Sequence, residues 1–103
     1  MTPRLLGTIV KGMYWVYILK SKMNDSLYVG YTHDIKKRLE EHEKGRSEAT
    51  ARYRPGKLVY LEGYASREDA MKREKNLKYY GKVYAQLKRR ITRSISSSQK
   101  VRG

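Results

Sequence analysis

Three ionisable residues stand where helical spacing puts apolar ones, and their types are those of phosphate and proton chemistry. At about 100° per residue, Ile35 and Leu39 mark the apolar stripe of a segment near residues 34–44, and Arg38 and His42, one turn apart, project within the same half. Lys36, Lys37, Glu40, Glu41, Glu43 and Lys44 fall on the opposite side. A segment near 67–80 repeats the pattern with the opposite charge: Ala70, Met71 and Leu77 form its apolar face, and Glu74 lies between them. A carboxylate so placed must be ion-paired, protonated or bound to a metal. Singly, each residue has a plain structural explanation: Arg38 lays its stem along the stripe, His42 is a hydrogen-bonded boundary residue, and Glu74 pairs with Arg73 or Lys78. An Arg, a His and a Glu aimed at one sheet are together a candidate site.

Tyrosines add to it. The chain has ten tyrosines and no phenylalanine, a bias that aromatic bulk alone does not explain. In LYVGYT (27–32), Tyr28 and Gly30 share one strand face by the period of two. Tyr17, in the preceding strand, joins that face only in one hairpin register, which the sequence leaves open. In that register Gly30 leaves a gap between two phenols where another backbone or a ligand could approach. The alternative is half-buried strand tyrosines beside a bulge glycine. Tyr31 points the other way and packs.

The elements that carry these residues follow from local pattern. YWVYILK (14–20) and LYVGYT read as strands joined by the turn residues KMNDS, an antiparallel hairpin. Thr32 or Asp34 can cap a helix over about 34–44, which Gly45 ends. Residues 46–56 form a polar loop closed by Arg54-Pro55-Gly56, and KLVYLEGY (57–64) is a third strand. Ser66 caps a helix over about 67–80 that Gly81 stops, and a basic helix follows over 83–92. The order β-β-α-β-α-α predicts an α+β fold, a small three-stranded antiparallel sheet flanked by helices. Residues 1–12 are expected to be a flexible extension ahead of a domain at 13–93, with a disordered basic, Ser-rich tail at 94–103.

Composition narrows the partners. The 103 residues carry a formal net charge of +14, with a pI near 10.1. Self-repulsion of that size opposes compaction, so the charge implies a polyanionic partner, of which nucleic acid is the commonest. Lys72, Lys75, Lys78, Lys88, Arg89 and Arg90 are the expected backbone contacts. No basic helix has the broad apolar face that a membrane surface requires. With no cysteine and two histidines, disulfide frameworks, thiolate zinc sites and histidine-rich metal sites are excluded. No apolar run reaches the length of a membrane span and the start lacks a signal-peptide pattern, so a cytoplasmic location is expected. Nothing in the sequence calls for more than a monomer.

VYI at 16–18, YVG at 28–30, Arg38 with His42 one turn later, RPGKLVYLEGY, and REKNLK around Glu74 together resemble the GIY-YIG nuclease superfamily, most of all its small stand-alone bacterial members. The resemblance runs from Met13 to about Arg90. It implies metal-assisted hydrolysis of DNA phosphodiesters on a three-stranded antiparallel sheet with helices. By this likeness Tyr17 and Tyr28 line the site around the attacking water, and Arg38 is the phosphate-binding arginine. His42 is a proton acceptor from Tyr17 or water, and Glu74 is the one carboxylate holding a divalent ion, Mg²⁺ or Mn²⁺. Tyr31 stands where some members carry a lysine, and Gln86 is the nearest analogue of an asparagine found beyond the metal carboxylate in several.

Three functions compete on these residues: a structure-selective or weakly specific endonuclease of DNA repair or recombination, a non-catalytic basic nucleic-acid-binding module on the same fold, and a basic ribosome-associated protein. Basicity suits all three. Glu74 separates them, because a carboxylate facing a polyanion makes sense chiefly when a cation bridges the two.

Overall fold

The computed structural model describes residues 12–22, 25–43 and 56–97, the side chains of residues 42, 43 and 97 excepted. The expected extension before Gly12, the loop at 44–55 and the chain end at 98–103 lie outside the described residues. Among the described residues seven elements follow one another: β1 (Tyr14–Ser21), β2 (Leu27–Thr32), α1 (Ile35–Glu43), β3 (Gly56–Tyr64), α2 (Arg67–Tyr79), α3 (Gly81–Arg90) and α4 (Thr92–Ser97). The strands form one antiparallel sheet in the order β2-β1-β3. This is the α+β fold that the sequence predicts.

The hairpin turn is tied by backbone bonds from Ser21 to Ser26 (2.8 Å) and from Asp25 to Ser21 (3.2 Å). Asp25 adopts φ 61°, the left-handed conformation that Asp tolerates in turns. In the resulting register Tyr17 faces Gly30, Leu19 faces Tyr28 and Trp15 faces Thr32, so Tyr17, Tyr28 and Gly30 do share a face. Val16, Ile18 and Val29 point to the other face, where α2 and α3 cover them with Ala70, Leu77 and Leu87. Tyr14, Tyr31, Tyr60 and Tyr64 pack around that cluster.

Caps fix the helices. Asp34 is the cap of α1, accepting from Lys37 N at 3.1 Å, while Thr32 Oγ1 braces the entry by accepting from Asp34 N at 3.0 Å. Ser66 accepts from Asp69 N at 3.3 Å and starts α2, whose first turn carries Glu68 and Asp69, favourable at the positive end of the helix dipole. Gly81 does not act as a stop; Tyr80, extended at φ −119°, separates α2 from α3, and Gly81 is the first residue of α3. The chain expected to be disordered from residue 94 continues as α4 through Ser97. A long-range tie holds it: Lys20, almost fully buried, donates from Nζ to the Ile95 carbonyl at 3.0 Å. Met71, assigned to the apolar face of α2, is instead 45% exposed, since Ala70 and Leu77 alone fill the contact with the sheet. No helix among the described residues is long and apolar enough to cross a membrane.

Candidate active site at the edge of the sheet

β1 delivers Tyr17 to the centre of the sheet face opposite the core cluster. Its side chain is fully buried, and the gap expected at Gly30 is where it lies. A Cβ at residue 30 would overlap the Cζ and Oη of Tyr17 and come within 2.9 Å of its Cε1. Gly30 therefore admits a phenol of its own chain, which corrects the expectation of an opening for another backbone or a ligand. The same device recurs on β3, where a Cβ at Gly63 would meet Trp15 Cζ3 at 2.7 Å. A glycine in each outer strand accepts a large ring from β1.

Tyr28 stands beside Tyr17, with ring centroids 6.3 Å apart at a tilt of 47°. β2 is an edge strand, and α2, although packed on the other sheet face, meets Tyr28 around that edge. Lys78 Nζ lies 5.7 Å from the Tyr28 ring centroid and pairs with Glu74 Oε2 at 2.9 Å. Arg38, on α1, makes a 3.5 Å contact with Glu41 through Nε and keeps 37% of its side chain exposed. Burial pushes the Tyr17 hydroxyl above its ordinary pKa; Tyr28, Glu74 and Glu41 raise it further, and Arg38 opposes them. Tyr17, Tyr28 and Glu74 are thus linked by the ring contact and through Lys78, and the Tyr17 hydroxyl also feels the charges of Glu74 and Arg38. His42 follows Arg38 by one turn of α1, but its side chain lies outside the described residues.

Glu74 opens on a groove of about 440 Å³ lined also by Lys72, Lys75, Lys78 and Met71. Three of the six lysines and arginines expected to contact phosphate thus line the same groove as Glu74, while Tyr17, Tyr28 and Arg38 are not among its lining residues. Of the other three, Lys88 lies over the Tyr84 ring at 4.5 Å. Arg89 and Arg90 line a separate cleft of about 370 Å³ with Arg73 and Gln86. Gln86, the nearest analogue of the family's asparagine, projects from α3 and lines that cleft, not the Glu74 groove along α2.

Among the described residues, no three His, Cys, Asp or Glu side chains gather in one place. The donor set fits a hard divalent ion held by one carboxylate, with water and phosphate as its remaining ligands; such an ion would displace the Lys78 ammonium from Glu74. Two further tyrosines serve a carboxylate on β3. Tyr60 and Tyr64 each donate to Glu62 at 2.6 Å, and Arg73 adds a forked pair through Nε (3.0 and 3.2 Å) and Nη2 (3.0 Å). The signal was available as Y-x-E-x-Y at period two in β3, three side chains on one face with the carboxylate in the middle.

Comparison with known proteins agrees with this fold. Residues 13–86 match the model of the GIY-YIG catalytic domain. A UPF0213 protein of Streptococcus pneumoniae is 42% identical over 65 residues, which span 62% of this chain and 65% of that protein. A UPF0213 protein of Staphylococcus aureus is 41% identical over 68 residues, 65% of this chain and 82% of its own. The solution NMR structure of the UPF0213 protein BH0048 of Bacillus halodurans superposes with a TM-score of 0.52 at 26% identity, covering 87% of this chain and 99% of that one. With a matched segment that runs from the start of β1 into α3 and contains Tyr17, Tyr28, Arg38 and Glu74, the chain belongs to the GIY-YIG family.

Proposed function

We propose that this protein is a divalent-metal-dependent endonuclease that hydrolyses DNA phosphodiesters, acting on branched, flapped or duplex DNA in repair or recombination. The observation that carries the reading is that Tyr17 of β1 stands beside Tyr28 of β2, whose ring meets the Lys78 ammonium paired with Glu74 of α2. Among the described residues three lysines line the groove beside the carboxylates Glu68 and Glu74, so the groove attracts a phosphodiester while Glu74 keeps an anionic donor within it. Glu74 would hold a divalent ion, Mg²⁺ or Mn²⁺, which when bound would supply Lewis-acid polarisation of the phosphodiester.

The chain's own residues account for the remaining steps. Arg38 has a free fork beyond its single Nε contact and suits the charge that grows on the phosphoryl oxygens as water attacks phosphorus. Tyr17, its proton held by burial, is not itself a resident base; its enclosed hydroxyl is a fixed point beside Tyr28, which lines the site around the attacking water. His42, one turn from Arg38, is the group that takes the proton from that water. Lys72 and Lys75 hold the flanking backbone.

The deciding experiment is cleavage of duplex, single-stranded, flapped and branched DNA with Mg²⁺ or Mn²⁺, comparing wild type with Glu74→Gln. Wild type should nick at least one substrate; the variant should lose nicking and keep binding. Cleavage that persists in the variant overturns the assignment of Glu74. One observation favours a second reading, a basic binding module without catalysis: Lys78 already satisfies Glu74 at 2.9 Å. In that case no substrate is cut, and Glu74→Gln tightens DNA binding without any dependence on added metal.

A further inference from the structure

A second groove, of about 450 Å³, is not used by the hydrolytic site. It is lined by Met13, Tyr14, Tyr31, His33, Arg67 and Met71. Tyr14 begins β1, Tyr31 is next to last in β2 and Arg67 begins α2, so the groove lies where those three ends meet. Tyr14 and Tyr31 pack against the core cluster, which makes their rings a fixed wall. Arg67 and His33 are exposed beside them, and among the described residues no carboxylate lines the groove.

The two grooves adjoin. Met71 lines both, and its exposure, which the core does not explain, places it on the ridge between them. Arg67, Met71, Glu74 and Lys78 recur at helical spacing along α2, so one helix face serves both sites. Arg67 precedes Glu74 by seven residues, roughly 10 Å of helix rise.

We propose that this groove is a subsite for a single-stranded stretch of nucleic acid flanking the position of cleavage. Arg67 holds a backbone phosphate, and the Tyr14 and Tyr31 rings form the wall on which an unpaired base rests. Fixed aromatic rings beside an unneutralised cation suit an unstacked base, whereas bases within a duplex present no free face. A volume of about 450 Å³ is also within the range of pockets that take ligands of nucleotide size. The proposal rests on the nuclease reading for its place in the reaction. It gives that reading a substrate class, DNA with a single strand leaving the duplex next to the scissile bond.

The test is fluorescence anisotropy of the full chain in metal-free buffer, with a blunt duplex and the same duplex carrying a single-stranded overhang. Arg67→Glu should weaken binding of the overhang substrate about tenfold and of the blunt duplex by less than about threefold. Tyr31→Leu should weaken the overhang substrate selectively, by about fivefold or more. Because Tyr31 also touches the core, its variant is first checked by thermal melting; if it is unfolded, Arg67→Glu decides alone. Equal losses on both DNAs, or no loss on either, overturn the subsite. The two readings fail separately: absence of metal-dependent cleavage in wild type counts against the nuclease, while the overhang preference is read without metal or turnover.

Discussion

Tyr17 and Gly30 are opposed across the β1–β2 pair, and the phenol of Tyr17 occupies the space that a side chain at residue 30 would need. The ring is fully buried and cannot swing into solvent. Gly30→Ala must therefore push the ring or spread the strands, an overpacking cost of about 1–3 kcal/mol. For a domain of this size that lowers Tm by roughly 5–15 °C. Tyr17→Phe keeps the ring and should melt within a few degrees of wild type while losing DNA cleavage. A Gly30→Ala protein that melts like wild type would show that the ring has room to move, and Tyr17 would no longer be a fixed point of the site.

Lys78 competes with any cation for Glu74. The pair is partly exposed, with 40% of the Lys78 side chain and 24% of the Glu74 side chain accessible. Its worth is therefore at the scale of a surface pair, about 0.2–1 kcal/mol. Lys78→Met should tighten Mn²⁺ binding by about two- to fivefold in calorimetry, and it should weaken DNA binding by removing one groove cation. Unchanged Mn²⁺ affinity would mean that the ammonium and the metal do not share the carboxylate.

Arg38 offers a separation of catalysis from affinity. Its contact with Glu41 is long and exposed, so Arg38→Ala should leave Tm within a degree or two. Loss of the cation facing the reacting phosphate should lower the cleavage rate on the order of a hundredfold, with DNA affinity changed by less than about threefold. Arg38→Lys should recover little of the rate, because an ammonium does not reproduce the planar fork. Matched losses of rate and affinity would reduce Arg38 to one backbone contact among several.

Much of this was legible in the chain. Alternating aromatic and β-branched residues located β1 and β2, and Ser66 with the Ala70–Leu77 stripe located α2. Polarity on a stripe singled out Arg38 and Glu74 before any geometry was known. The hairpin register was not legible, because it depends on a left-handed Asp25 that many turn sequences could supply. Nor was the partner of Arg73. At helical spacing it neighbours Glu74, but it turns to Glu62, eleven residues earlier and on a strand. α4 was missed for a similar reason: its Ser-rich sequence has weak helix propensity, and its tie to Lys20 spans 75 residues. Short-range pattern carries the elements, while long-range polar pairing becomes visible only when they pack.

The Glu62 cluster gives the last prediction. Burial pushes the Glu62 carboxyl up, but hydrogen bonds from Arg73, Tyr60 and Tyr64 outweigh it and hold it below its ordinary value of 4.5. A carboxyl depressed in the folded state contributes stability that is complete above the unfolded value and is lost as pH falls through the folded one. The alkaline side has the opposite sign. Burial first, and then the bond to Glu62, push Tyr64 up to about 12, and Tyr60 moves in the same direction. A phenol so raised contributes stability that is complete below its ordinary 10.0 and is lost as pH rises toward 12. Urea unfolding followed from about pH 3 to 11 should thus show a plateau, with a fall below about 4.5 and another above about 10. Glu62→Gln removes the charge that draws Arg73 and both hydroxyls. It should cost about 1–3 kcal/mol on the plateau and flatten both falls relative to wild type. Parallel pH profiles for the two proteins would mean that the pH dependence arises elsewhere and that the cluster is only a packing contact.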